Sequence, residues 1–245
     1  MDLVLNERRG AVLILQLNRP SVLNALDLRL VRGIRAAIAG AQREEGVRAI
    51  VLTGGDGVFS VGADISMLNE MRIEEVSNFI EEVASMLLEV SSAPVVTVAA
   101  VEGYAVGAGA DLAVACDVRV AGQGSKFRFP GMSFGVVLGT RALARLVGPA
   151  RAKEIVFGQM TVSGEQGEQL GLVNRVVPAG EAKRCAVELA TQMAEIPGHA
   201  VGIAKTLLGD AGREDVSAAV RSVREGDFAQ HFAAYRARQR DKSST

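Results

Sequence analysis

The side chains that most often perform enzyme chemistry are scarce in this chain. Its 245 residues include 2 His, 2 Cys, 2 Tyr and no Trp. These cysteines and histidines are Cys116, Cys185, His199 and His231. Their spacing does not match a Cys/His zinc site, so we predict no metal. Two cysteines allow at most one disulfide, which favours a reducing cytosol. Any catalysis must therefore depend mostly on carboxylates and backbone amides.

Two glycine-rich segments could supply such amides. The first glycine loop, residues 59–65, reads FSVGADI, and the second, residues 103–111, reads GYAVGAGAD. Each follows an apolar run and leads into a predicted helix, whose free first-turn amides attract negative charge. If the loops meet across a cleft, two N–H groups can bind one oxygen, as in an oxyanion hole. Alternatively, the small residues only permit close packing. Neither loop matches a dinucleotide or Walker motif.

The overall composition is that of a folded domain with a large apolar core. Apolar residues make up 49% of the chain, and 27 Lys and Arg against 28 Asp and Glu give a net charge of −1. This balance provides no broad positive field for nucleic acid. The most apolar stretch, residues 93–121, is interrupted by proline, glycines and acidic residues, so we predict no membrane span. The N-terminus lacks the pattern of a targeting signal, and we expect a cytoplasmic protein.

Strand-like and helix-like segments alternate in the first half of the chain. Apolar runs predict strands at 3–5, 12–17, 49–52, 95–99 and 118–120, with a turn at 8–10. Helices are predicted after an Asp27 cap, at 73–90, from about 108, and at 140–147, 149–157, 163–169, 181–194, 198–208 and 213–238. Such alternation predicts one α/β domain with a largely parallel sheet, followed by a mainly helical region.

Several stretches occur together in the order and spacing of one known family. They are 17–20 (LNRP), 23–26 (LNAL), 51–54 (VLTG) followed by the first glycine loop, 103–113 (GYAVGAGADLA), 145–148 (RLVG) and 171–173 (GLV). Over nearly its full length the chain resembles the enoyl-CoA hydratase/isomerase, or crotonase, superfamily. The resemblance implies a crotonase (ClpP-like) spiral of ββα units over 1–190 and a C-terminal helical trimerisation region over 191–245, in a homotrimer or hexamer.

The same resemblance implies an acyl-CoA thioester as the ligand, with coenzyme A as part of the substrate and no separate cofactor. By motif position, the amides of Ala63 and Ala108 are the two donors to the thioester oxygen. The resemblance assigns the following residues to substrate and CoA binding: Ser21, Val22, Leu23, Ala63, Asp64, Ile65, Gly107, Ala108 and Gly131. The pattern around Asp64 also predicts a helix N-cap.

The chain departs from the family pattern at both hydratase glutamates. Asp111 stands at the first position, one methylene shorter, and Gly131 stands at the second. No Asp or Glu occurs between Asp117 and Glu154, so a small shift in alignment restores no second acid. We therefore expect an enoyl-CoA isomerase or atypical hydratase, with Asp111 as acid and base. The alternatives are a divergent acyl-CoA decarboxylase or hydrolase, and an acyl-CoA-binding protein without catalysis. Asp111 could also only compensate the helix dipole.

Overall fold

A six-stranded, mainly parallel sheet forms the centre of the protein. The computed structural model describes residues 2–55 and 57–209. The strands of this main sheet are β1 (Val4–Arg9), β2 (Val12–Leu17), β3 (Ala49–Thr53), β4 (Val96–Val101), β6 (Val118–Gly122) and β9 (Arg175–Val177). Their spatial order is β1-β2-β3-β4-β6-β9, and only the β1–β2 pair is antiparallel. The predicted α/β class with a largely parallel sheet is confirmed.

A second, small sheet lies beside the main one and was not predicted. It contains β5 (Tyr104–Val106), β7 (Lys126–Arg128) and β8 (Thr161–Ser163), in the order β5-β7-β8. Strands of three residues are too short to show an alternating pattern in the sequence. The same reason explains why β9 was missed. The predicted turn at 8–10 was partly wrong, because Arg8 and Arg9 pair with β2 and only Gly10 and Ala11 turn.

Helices cover both faces of the main sheet. They are α1 (Leu28–Arg43), α2 (Ile65–Glu70), α3 (Ile73–Ser91), α4 (Ala108–Ala115), α5 (Thr140–Val147), α6 (Pro149–Phe157), α7 (Gly164–Leu170), α8 (Ala182–Met193) and α9 (Gly198–Gly209). The apolar stripe of α1 packs towards α3, and one core cluster joins α1, α3, α4 and α5 to the sheet. The other face of the sheet packs on α8.

The α1 helix illustrates how local sequence fixes an element. The Asp27 side chain accepts a hydrogen bond from the Leu30 amide at 2.7 Å, which confirms the predicted cap. Val31, Ile34 and Ile38 are buried at helical spacing, as the stripe predicts. The predicted helix at 213–238 lies outside the described residues. So does most of the predicted trimerisation region.

No helix within residues 2–55 and 57–209 is both long and apolar enough to cross a membrane. Among the same residues, no group of three or more His, Cys, Asp or Glu side chains could hold a metal ion.

Candidate active site

The two glycine loops lie directly against each other. The Ser60 amide donates to the Tyr104 carbonyl at 3.0 Å, and the Val106 amide donates to the Ser60 carbonyl at 3.0 Å. Gly62 has a φ of +85°, and a Cβ at this position would lie 2.4 Å from the Val106 carbonyl oxygen. Only glycine fits this conformation and this contact. The small residues therefore do permit close packing, and that packing joins the two loops at one site.

The amides of Ala63 and Ala108 have no hydrogen-bond partner among the described residues. Ala63 lies on the first loop between Gly62, whose carbonyl accepts from the Leu26 amide at 2.7 Å, and Asp64, whose amide donates to the Leu26 carbonyl at 2.9 Å. Ala108 is the first residue of α4, where intrahelical bonds leave the amide free. Both residues line the same cavity. Two free donors are thus available to a ligand there.

The cavity has a volume of about 330 Å³ and is mostly apolar. Its floor is formed by the buried side chains of Phe79, Val83, Leu143 and Val156. The side chains of Ile65 and Met132 are exposed at its mouth. A pocket of this size with few polar groups is typical of a site for a small molecule with an apolar part.

Asp111 is the single ionisable side chain among the described residues that line the cavity. It lies in the first turn of α4 and is only 6% exposed. Its Oδ1 atom has no hydrogen-bond partner in the described part of the protein. Burial raises the pKa of this carboxyl group well above its usual range, because desolvation disfavours the charged form. A buried carboxyl group with a raised pKa in a cleft is typical of an acid/base residue.

Gly131 lines the cavity but contributes no titratable group. It lies in a short 3₁₀ helix, Pro130–Phe134, and its carbonyl accepts from the Val136 amide at 2.9 Å. A Cβ at this position would lie 2.8 Å from the Val136 carbonyl oxygen. A side chain at position 131 would therefore require the backbone at Val136 to shift.

The segment of Ser21, Val22 and Leu23 lies at the rim of the site. Val22 and Leu23 are exposed, and the Leu23 carbonyl accepts from the Val61 amide of the first loop at 3.2 Å. None of the three residues lines the cavity itself. The role of this segment in CoA binding stays a prediction.

Asp64 and Ile65 differ in their surroundings. The Asp64 side chain accepts from the Met67 amide at 3.4 Å and pairs with Arg19 at 3.3 Å. The predicted N-cap is thereby confirmed, while this carboxylate does not line the cavity. Ile65 does line it, as does Gly107, which precedes α4 with a φ of +52°.

Asn24 positions the first loop, a role that the sequence analysis missed. Its side-chain amide donates to the carbonyls of Gly54, Val58 and Phe59 at 2.9–3.2 Å, and it is only 2% exposed. The Ser60 hydroxyl group donates to the Asn24 carbonyl at 2.8 Å. The available signal was the LNAL stretch at 23–26, but a sequence motif does not show which carbonyls a side chain contacts.

Comparisons with known proteins found a matching family model, curated relatives and solved structures of the same fold. Residues 7–243 match the family model described as enoyl-CoA hydratase/isomerase. A short-chain-enoyl-CoA hydratase of Clostridium acetobutylicum is 32% identical over 223 residues, which cover 89% of this chain and 85% of that protein. A 2,3-dehydroadipyl-CoA hydratase of Escherichia coli is 34% identical over 85% of this chain and 82% of its own. The crystal structure of an enoyl-CoA hydratase from Bacillus anthracis superposes with a TM-score of 0.89 at 25% identity, covering 96% of both chains.

Proposed function

The chain belongs to the enoyl-CoA hydratase/isomerase family, and on this premise we propose that it shifts the double bond of an enoyl-CoA thioester. The amides of Ala63 and Ala108 bind the thioester oxygen, and Asp111 moves the proton. Coenzyme A enters as part of the substrate, so the reaction needs no separate cofactor. The observation that carries this proposal is a buried carboxyl group, the single one lining the cavity among the described residues, beside two free amides in the same cavity.

The double-bond shift requires one base that also returns the proton. With a 3-enoyl-CoA, the Asp111 carboxylate removes a proton from C2, and the C–H electron pair forms a dienolate whose charge rests on the thioester oxygen. The two amides stabilise that charge. Protonated Asp111 then delivers the proton to C4, which leaves the double bond between C2 and C3. The substrate and product are isomers, so nothing else is consumed.

The raised pKa of Asp111 suits both halves of this reaction. A carboxyl group whose pKa is raised from its usual range towards the working pH returns a proton more readily than an ordinary aspartate and can still accept one. Since the free enzyme must present the ionised form to remove a proton, kcat/KM should rise with pH until the raised pKa of Asp111 is passed. The acid limb of the profile should therefore lie above the usual aspartate range.

Hydration by two carboxylates is disfavoured in this site. That reaction needs one group to activate water and another to supply a proton, and Gly131 has no side chain for the second role. The contact distance of 2.8 Å between a Cβ at position 131 and the Val136 carbonyl argues against a simple replacement. An atypical hydration through Asp111 alone remains the second outcome to measure.

A substrate panel tests the proposal. The protein is incubated separately with 2-enoyl-CoA and 3-enoyl-CoA substrates, and conjugation and water addition are followed independently. We expect conjugation of the 3-enoyl thioester and slow hydration of the 2-enoyl thioester. Hydration of crotonyl-CoA as fast as in relatives with two glutamates would contradict the proposal.

A second candidate is acyl-CoA binding without turnover. It is favoured by the apolar cavity together with the lack of a second carboxyl group lining it within residues 2–55 and 57–209. This candidate predicts tight acyl-CoA binding in calorimetry, no turnover of either enoyl thioester, and unchanged binding in Asp111→Ala.

We further propose that the protein assembles as a homotrimer or hexamer, as the family resemblance implies. Light scattering after size-exclusion chromatography measures the mass directly. A mass of one 25.7 kDa chain would contradict this assembly.

A further inference from the structure

The backbone at Gly139 lies directly against the carboxyl group of Asp111. Gly139 is the residue before α5 and has a φ of +63°, in the left-handed region that favours glycine. A Cβ built at this position would lie 2.0 Å from Asp111 Oδ1 and 2.6 Å from its Cγ. Real Cβ atoms do not approach other atoms so closely, so any side chain at position 139 must displace the carboxyl group or the start of α5.

Both partners of this contact are held by their own helices. The Asp111 amide donates to the Gly107 carbonyl at 2.9 Å, in the first turn of α4. The Leu143 amide donates to the Gly139 carbonyl at 3.0 Å, in the first turn of α5. Leu143 is fully buried, which fixes α5 on the core. The carboxyl group therefore lies between two anchored backbones, and its Oδ1 atom has no hydrogen bond to a described residue that could orient it instead.

We propose that Gly139 is a positioning residue that holds the Asp111 carboxyl group at the cavity wall by direct backbone contact. A carboxyl group usually keeps its orientation through hydrogen bonds. Here the close contact with the Gly139 backbone keeps the orientation of the Asp111 carboxyl group instead. This inference rests on the proposed function insofar as Asp111 is the acid and base. The positioning itself is a geometric property and can be measured without turnover.

The first test compares Gly139→Ala with a matched control, Gly135→Ala. Gly135 lies in the same loop with a φ of +72°, but a Cβ there meets nothing within 4 Å. Both variants place an alanine at a positive φ, and only the Cβ at position 139 would contact Asp111. A displacement of about 1 Å can cost on the order of 10²-fold in rate. We expect a fall of about that size in kcat for Gly139→Ala with little change in KM, and near wild-type kcat for Gly135→Ala.

A second measurement makes the test independent of activity. Aspartate labelled with ¹³C at the carboxyl carbon is titrated by NMR, with Asp111→Asn used to assign the signal. In the wild type the Asp111 signal should titrate above the usual aspartate range. In Gly139→Ala it should titrate lower, since the displaced group is more hydrated, while Gly135→Ala should leave it unchanged. No other ionisable side chain of the described residues lines the cavity to complicate the titration.

A double variant covers the case in which Gly139→Ala folds poorly. Asp111→Ala removes the two closest of the three Asp111 atoms that the new Cβ would meet, Oδ1 and Cγ, and leaves only the Asp111 Cβ at 3.1 Å. Asp111→Ala/Gly139→Ala should therefore melt at a higher temperature than Gly139→Ala alone. Equal melting temperatures, together with an unchanged Asp111 titration in Gly139→Ala, would overturn the positioning role. If wild-type turnover is absent but the titration shifts as expected, the proposed function fails and the positioning role stands.

Discussion

The two ends of α4 place an aspartate in opposite surroundings. Asp111, in the first turn, faces the cavity, and its Oδ1 atom has no hydrogen-bond partner among the described residues. Asp117, just beyond the last turn, has three hydrogen-bond donors on one carboxylate oxygen. Its Oδ2 atom accepts from the Thr97 amide at 2.7 Å, from the Thr97 hydroxyl at 3.0 Å and from Lys205 Nζ at 2.8 Å.

This difference separates a carboxylate that stabilises the fold from one that is available for chemistry. Hydrogen bonds and a cation offset the desolvation of Asp117, and they connect α4, β4 and α9. Nothing comparable offsets the burial of Asp111, so it reduces stability in its ionised form. Groups that reduce stability in this way are concentrated at functional sites. The comparison therefore predicts that activity depends on Asp111 and stability on Asp117.

The largest expected effect is the loss of activity in Asp111→Ala. A positioned acid or base contributes about 10²–10⁴-fold to the rate, and kcat for the 3-enoyl thioester should fall by that factor. Acyl-CoA binding, measured by calorimetry, should persist because the two amides and the apolar cavity remain. If the wild-type protein catalyses the reaction and Asp111→Ala has the same kcat, Asp111 is not the acid/base residue.

Replacement of Asp117, the aspartate with hydrogen-bond partners, should instead reduce stability. Asp117→Ala leaves the Thr97 amide and Lys205 without their common acceptor, and hydrogen bonds to charged groups are each worth about 1.5–3 kcal/mol. We expect the free energy of unfolding, measured in urea, to fall by about 1.5–3 kcal/mol. The kcat per folded molecule should be retained. If the kcat of Asp117→Ala falls by more than its folded fraction does, Asp117 also contributes to activity. The two aspartates at the ends of α4 would then not have separate roles.

Asp111 should also make stability depend on pH. Its folded-state pKa is raised by desolvation, so the native state binds more protons than the unfolded state between the usual aspartate pKa and the raised one. The free energy of unfolding should therefore fall across this window as pH rises, and level off above it. Asp111→Asn lacks this contribution. The melting temperature of Asp111→Asn minus that of the wild type should therefore increase with pH through the window. A difference that stays constant with pH would argue against burial of the charged Asp111 carboxylate.

The smallest effect is expected for Asp64→Ala, near the cavity mouth. Loss of an aspartate N-cap typically costs about 1 kcal/mol, and the pairing with Arg19 is also lost. Since this carboxylate does not line the cavity, kcat should be retained. A rise in KM for the acyl-CoA beyond that of an Asp27→Ala variant, which removes the cap of α1, would support the predicted CoA contact. An equal KM in the two variants would assign Asp64 to the fold alone.

The sequence predicted long, regular elements better than short ones. The α1 helix followed from an N-cap and a stripe of buried positions, and residues 12–17 are a strand with the predicted bounds. An apolar periodicity can be recognised over the 16 residues of α1, but not over a strand of three residues. Strands β5, β7, β8 and β9 were therefore missed, although β5 lies inside the second glycine loop and brings it against the first.

The sequence by itself determined which residue types are available for chemistry: two glycine-rich loops, Asp111 at the end of the second one, and no Asp or Glu between Asp117 and Glu154. Residue types and motif order are local properties, and they can be determined without coordinates. Only the tertiary structure decided how these groups are arranged. That Asn24 holds the first loop, that one cavity includes Ala63, Ala108 and Asp111, and that Gly139 touches a carboxyl group 28 positions earlier all depend on packing between distant segments. Such contacts arise from the relative placement of helices and strands, which no single stretch of sequence specifies.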